Sequence, residues 1–323
     1  MLSQRQPENN GVTDTQKGTE PISLLVCTRN RPEDLEATLT AMLSQDYLHY
    51  ELVLFDQSSD ERTALFVAPY ARKDPRIRYI KSETVGLSVA RNLALGAAQH
   101  DLCAFTDDDC LVPTDWLSNI TRTFSCHPET QILFSPVHVP PEMKHREDLR
   151  FPSFYFSEER VLKRGEIFGM GANMAFRKAF WKEVGGFDEL LGAGSPFFGA
   201  EEHDWLYRAH LQNAVIRLAP HNPIIHYSWR DKILWDKVTR GYATGDAAFA
   251  MKHLRCGDLK MIGVLTERWA RMGARCLLRI LQRNSGYTYE LNYFRGYGSG
   301  IVKSLRYSVD RKTRLYSPLR HSE

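Results

Sequence analysis

Short apolar runs alternate with stretches of helical periodicity through the first half of the chain. Ile22-Ser23-Leu24-Leu25-Val26-Cys27 reads as a buried strand that breaks into the polar turn Thr28-Arg29-Asn30-Arg31. Pro32 stands where a first helical turn tolerates proline, and Leu35, Leu39, Met42 and Leu43 give the following helix its apolar face. Glu51 to Phe55 predicts a second strand, ending in Asp56-Gln57-Ser58-Ser59-Asp60, and Arg76 to Ile80 a third. Gly86-Leu87-Ser88 opens a helix carrying Val89, Leu93, Leu95 and Ala97, with Arg91-Asn92 on its first turns. Leu102-Cys103-Ala104-Phe105 then runs into Thr106-Asp107-Asp108-Asp109, and Pro113 and Trp116 open another helix. Strands alternating with helices imply an α/β fold with a mostly parallel sheet covered on both faces.

The pattern loosens downstream. Gln131 to Val137 predicts a strand, and residues 138–165 a long excursion of active-site-loop character. The small residues of Gly169-Met170-Gly171-Ala172 suggest close backbone approach to a ligand or another strand. Lys178 to Val184 predicts a short helix stopped by Gly185-Gly186, and Gly192 to Gly199 a loop that reads as a lid or as plain surface. Ala200-Glu201-Glu202-His203-Asp204 starts a helix with acids, which by itself only meets the helix dipole. Val215 to Leu218 and Ile224-Ile225 predict short strands, the second ending in His226. Beyond Trp235 the pattern is helical. Three regions follow: a polar, disordered tail over 1–20, an α/β domain over 21–235, and a helical region over 236–323.

Bulk properties narrow the setting. A chain of 323 residues holds a sizeable core, and a formal charge of +3 gives no argument for nucleic acid. The six cysteines form no Cys-x-x-Cys pair and several sit in apolar runs, so reduced thiols and a cytoplasmic location are expected. No run approaches the ~20 apolar residues that span a bilayer, and the amino-terminal residues lack a signal-peptide pattern. Ile262, Leu265, Trp269, Met272, Cys276 and Ile280 share one helix face flanked by Arg268, Arg271, Arg275 and Arg279. That face suits peripheral contact with an anionic membrane, on the inner face for a cytoplasmic protein, or packing against the α/β domain with snorkelling arginines.

The polar clusters Thr28–Arg31, Asp56–Ser59 and Asp107–Asp109 all fall at carboxyl ends of strands, where ligands of such sheets bind. Three adjacent acids repel one another and are tolerable where a divalent cation offsets them; oxygen ligands suit Mg²⁺ or Mn²⁺. On the triplet alone, a solvated acidic turn is the other reading. The first turn has no Gly-x-Gly-x-x-Gly and no P-loop lysine, and Leu111 and Val112 break an EF-hand pattern. No Ser-His-Asp or Cys-His arrangement stands at recognisable spacing.

Taken in order, these segments resemble family-2 glycosyltransferases of the GT-A fold. Ile22 to Pro32 resembles the family's opening, Phe105 to Asp109 its Asp-x-Asp motif, Gly171 to Arg177 and Val184 to Asp188 its acceptor-side segment, and Glu201-Glu202-x-Asp204 its Glu-Asp motif. The resemblance implies inverting transfer of a sugar from a nucleotide-diphospho-sugar, UDP-linked in most members, to a glycan, glycolipid or other hydroxyl acceptor in surface polysaccharide or glycolipid assembly. It implies Thr28, Arg31 and Asp56 at the nucleotide base, Ser88 and Arg91 at the nucleotide or its diphosphate, and Asp107 and Asp108 at ribose and sugar. It implies Mn²⁺ or Mg²⁺ on Asp109, with Asp108 as the alternative ligand and His226 completing the site. Glu202 stands where the family usually has a catalytic Asp, with Asp204 and Glu201 in reserve. A sugar-phosphate nucleotidyltransferase, or a non-catalytic nucleotide-sugar-binding protein, are the competing readings; the first would want a glycine-rich loop after the first strand.

Overall fold

The computed structural model describes residues 20–282 and 287–318. The expected tail over 1–20 therefore lies, apart from Glu20, outside the described residues. The first half runs β1 (Ile22–Thr28), α1 (Leu35–Leu43), β2 (Tyr50–Asp56), α2 (Arg62–Lys73), β3 (Ile77–Lys81), α3 (Leu87–Ala97) and β4 (Leu102–Asp107). β3, β2, β1 and β4 lie side by side and parallel, as the alternation predicts. Thr28 pairs with Asp56, and Cys27 with Asp107, so three strands end together at one edge. The central strands β1, β2 and β4 are buried on both sides, and their runs are mostly apolar rather than alternating.

The second half runs β5 (Cys110–Leu111), α4 (Trp116–Cys126), β6 (Ile132–Phe134), β7 (Val137–His138), β8 (Arg160–Val161), β9 (Met174–Arg177), α5 (Lys178–Val184), α6 (Glu201–Leu211), β10 (Ile216–Leu218) and β11 (Ile224–His226). The main sheet has the order β3-β2-β1-β4-β9-β6-β10-β8. β9 is antiparallel to both β4 and β6, which simple alternation did not foresee. The strand expected over 131–137 is interrupted at Ser135-Pro136. Proline cannot donate to a ladder, and β7 leaves for a second sheet of order β5-β11-β7. α2 was not visible in the pattern: it buries only Thr63 and Val67 and contains Pro69.

The remaining elements are α7 (Lys232–Arg255), α8 (Lys260–Leu281), α9 (Thr288–Ser304) and the hairpin β12 (Tyr307–Asp310)–β13 (Leu315–Pro318). α7 binds the α/β layer through buried charge. Lys252 Nζ lies 2.5 Å from Asp188 and 2.7 Å from Asp204, and His253 Nε2 lies 2.8 Å from Asp204. α9 crosses α7 at backbone distance: a Cβ on Gly296 or Gly300 would lie 2.2 or 2.5 Å from a carbonyl oxygen of α7. The α8 face expected to meet a membrane or the core divides between packing and solvent. Met272 and Cys276 are buried, whereas Ile262, Trp269 and Ile280 are about half exposed. Arg268 pairs with Asp246, and Arg279 with the buried Glu290.

Lys252→Ala should leave two buried carboxylates short of a cation and destabilise the fold by about 3–5 kcal/mol. Urea unfolding of the variant against wild type measures this.

Candidate active site

The acidic triplet stands where β4 ends and the chain turns into β5. β5 pairs with β11, setting Cys110 opposite His226, and the Tyr227 N–H donates to the Asp109 carbonyl. His226 Nε2 is thereby held 2.9 Å from Asp109 Oδ1 and 3.9 Å from Asp107 Oδ2. Ligand atoms of Asp107, Asp109, Cys110 and His226 all lie within 4.8 Å of one another. Burial, followed by the charges of Asp107 and Asp109, pushes the Cys110 thiol well up, so it stays neutral and is a poor ligand. For Asp109, burial works upward, but contacts with His226 and Arg31 outweigh it and hold the carboxyl at about 2. Asp108 is different: burial pushes it up to about 7 against the opposing charge of Arg31. His226 Nδ1 and Asp108 Oδ2 are buried without a hydrogen-bond partner among the described residues. Two carboxylates and an imidazole whose Nε2 faces them fit a divalent ion, and the nitrogen favours Mn²⁺ over the strictly oxygen-seeking Mg²⁺.

Across the cleft, α6 begins at a left-handed turn. Gly199 and Ala200 have φ of +98° and +65°, a conformation that costs a non-glycine residue about 1–2 kcal/mol. The turn sets Glu201 and Glu202 on the first helical turn beside Arg91. Arg91 is 3% exposed; its guanidinium lies 3.1 Å from Glu201, 3.8 Å from Glu202 and 3.8 Å from Asp107. The rings of Phe105 and Phe187 stand 5.8 and 5.7 Å from it. Glu201 is pushed up to about 8 by burial and by the neighbouring Glu202 charge. Glu202 is only partly buried; desolvation works upward, but Arg91 and His203 hold its carboxyl below the ordinary value. The pair therefore shares one proton, and Glu202 carries the charge.

Gly171 completes this wall. Its N–H donates to Glu202 Oε1 at 3.3 Å, and a Cβ there would meet Arg91 Nη2 at 2.6 Å and Glu202 Oε1 at 2.8 Å. Asn173 fixes the turn by donating to the carbonyls of Pro136 and Asn222 and accepting from the Trp116 indole. The expected close backbone approach is thus to the arginine–glutamate pair.

The cleft has a volume of about 540 Å³ and brings Asp107, Asp109 and His226 together with Arg91, Glu201 and Glu202. A cavity of about 570 Å³ adjoins it at Arg31, Asp109 and Ser228, and one of about 150 Å³ opens at Thr28, Gln57 and Leu87. Arg31 donates to Asp108 and Asp109. Asp56 is fully buried and accepts from Tyr79 and from the Ser58 N–H. Ser88 donates to the Leu191 carbonyl and, with Leu87 N–H on Ala193, ties the Gly192–Gly199 loop to α3. Asp204 turns away from the cleft, to Arg208, Lys252 and His253. His203 and, from α7, Trp235, Tyr242 and Asp246 also line the cleft. They were missed in the sequence, although their spacing of seven and four along α7 places them on one helix face.

A family model described as Glycosyl transferase family 2 matches residues 23–185, half of the chain. The chain belongs to that family. Among curated relatives, a glucosyl-dolichyl phosphate glucuronosyltransferase of Haloferax volcanii is 25% identical over 182 residues, covering 53% of this chain and 57% of that protein. The chain spans 15 to 57% of the length of curated relatives it matches. Among solved structures, the mannosyltransferase PcManGT of Pyrobaculum calidifontis, in complex with GDP-Man and Mn²⁺, superposes with a TM-score of 0.62 at 16% identity over 88% of both chains. TarS residues 1–349 of S. aureus superpose at 0.53 and 18% identity, over 90% of this chain and 94% of that one. These likenesses establish the GT-A fold. The family match ends before Glu201, Glu202 and His226, so the carboxyls of the second wall and the imidazole of the first rest on the geometry above.

Gly171→Ala should displace Arg91 and Glu202, lowering kcat roughly 10²-fold and costing about 1–3 kcal/mol of stability through overpacking, measured by turnover and urea unfolding of the same variant. For pH, the sign follows from Glu201. A carboxyl raised in the folded state binds a proton that the unfolded chain has already lost between about 4.5 and about 8. Its contribution to stability is complete below the lower value and is lost as pH rises through the upper one. Stability should therefore fall across that window, by at most about 1.4 kcal/mol per pH unit from this group. Denaturation of Glu201→Gln should show a flatter profile.

Proposed function

We propose that this glycosyltransferase performs metal-dependent, inverting transfer of a sugar from a nucleotide-diphospho-sugar to an acceptor hydroxyl. One observation carries the reading: the Asp107–Asp109–His226 cluster, with Asp109 held low, and Glu202, also held low, face the same cleft from opposite sides, with Arg91 between them. Asp109, His226 and Asp107 would hold Mn²⁺ or Mg²⁺, whose charge stabilises the departing diphosphate. Asp108, raised by burial and turned to Arg31, is the weaker candidate. Glu202 accepts the acceptor hydroxyl's proton as its oxygen attacks the anomeric carbon opposite the leaving group. Glu201 keeps its own proton, and Arg91 holds both carboxyls in place. The edge at Thr28 and Gln57 suits the nucleoside end of the donor.

UDP-sugars are the first donors to test. PcManGT was solved with GDP-Man, so the panel includes guanosine donors. The Haloferax relative is named for transfer to glucosyl-dolichyl phosphate, which supports a lipid-linked acceptor within surface-glycan assembly.

Asp109→Ala should abolish donor hydrolysis and Mn²⁺-dependent thermal stabilisation by the donor, while Asp108→Ala retains part of both. Unchanged activity in both variants would remove the metal reading. Glu202→Gln should lose turnover by about 10²–10⁴-fold and keep donor binding. Release of a nucleoside diphosphate marks glycosyl transfer, whereas pyrophosphate would mark nucleotidyl transfer.

A further inference from the structure

We infer that α8 is a docking surface for an anionic lipid bilayer. Its solvent side carries Ile262, Trp269, Leu277, Leu278, Ile280 and Leu281, each about half exposed or more, reaching 71% at Leu281. At 100° per residue these side chains, with Gly263, Ala270, Gly273 and Ala274, occupy one half of the helix surface along its length. The opposite side packs through Met261, Met272 and Cys276. The exposed half holds one acid, Glu267, which pairs with Arg271 at its edge. Arg271 and Arg275 are both at least half exposed along that edge. A helix that is apolar towards the core is ordinary; one whose outward half is apolar requires a cover.

Charge chooses the cover. The chain's overall +3 hides a strong asymmetry: residues 232–318 contain 17 Lys and Arg against six Asp and Glu, a net of +11. A second copy packed face to face through α8 would oppose two such regions. An anionic lipid surface complements them, each basic side chain adding to attraction at short range. No helix among the described residues is long and apolar enough to cross a membrane, so α8 lies along the surface, over about 33 Å. The location also has consequences for the cleft. Asp246 of α7 lines the cleft and pairs with Arg268 of α8, so the helix proposed to lie on lipid runs beside one that walls the cleft.

Flotation with vesicles tests the surface without reference to turnover, so its outcome is independent of the transfer reading. The full chain should float with phosphatidylcholine vesicles containing about 30 mol % phosphatidylglycerol, much less with pure phosphatidylcholine, and should be released in about 0.5 M NaCl. The double variant Leu277→Asp, Leu281→Asp changes only exposed side chains and should keep its melting temperature while losing at least about tenfold in partitioning. Arg271→Gln should weaken binding about fivefold. Three results would overturn the inference: a folded protein that never floats with anionic vesicles, equal binding to neutral and anionic vesicles, or a solution dimer that the double variant dissociates.

Discussion

A single buried guanidinium holds the two walls of this cleft in relation to each other. Arg91 touches Asp107 at the end of β4 and the Glu201–Glu202 pair at the start of α6. Five carboxyls gather here, and Arg91 and Arg31 are the arginines paired with them. Burying so much like charge is costly. The structure reduces the cost by keeping Glu201 protonated, by leaving Asp108 close to neutrality, and by setting His226 against Asp109. The two carboxyls held below their ordinary values are the ones the proposed chemistry uses, Asp109 on one wall and Glu202 on the other.

The acidic segment Glu201-Glu202-x-Asp204 divides its work by helix face. Glu201 and Glu202 line the cleft, whereas Asp204 faces the opposite way into Arg208, Lys252 and His253. A carboxylate with three cationic or donating partners at hydrogen-bond distance is held far below the usual carboxylate range and makes a weak base. It is better suited to clamping α7 against α6, and α7 returns that contact by contributing Trp235, Tyr242 and Asp246 to the cleft. The boundary near residue 235 drawn from the sequence therefore passes through the wall of the site, since α7 begins at Lys232.

Much of the first half was legible because its signals are local. Apolar runs gave the parallel strands, and polar breaks marked the shared edge. Elements with little buried surface were not legible, α2 with its two buried side chains above all. Nor was the antiparallel β9, whose direction is set by the long excursion that precedes it and not by its own four residues. α8 shows the same limit. Its periodicity was plain, but which half packs is fixed by Asp246 and Glu290 on neighbouring helices.

The acidic triplet shows where local reading stops. Had the strand continued, side chains would alternate and Asp107 and Asp109 would share a face by period two alone. But β4 ends at Asp107, and Asp108-Asp109 form a turn, where that rule lapses. The roles separate through one distant partner and burial instead. The turn after β1 brings Arg31 to both Asp108 and Asp109, but β11, antiparallel to β5, delivers His226 to Asp109 and not to Asp108. Adjacent carboxyls in sequence thus become one at about 2 and, where burial outweighs Arg31, one at about 7. The difference is made by a residue 117 positions later, a separation no motif of three letters can encode.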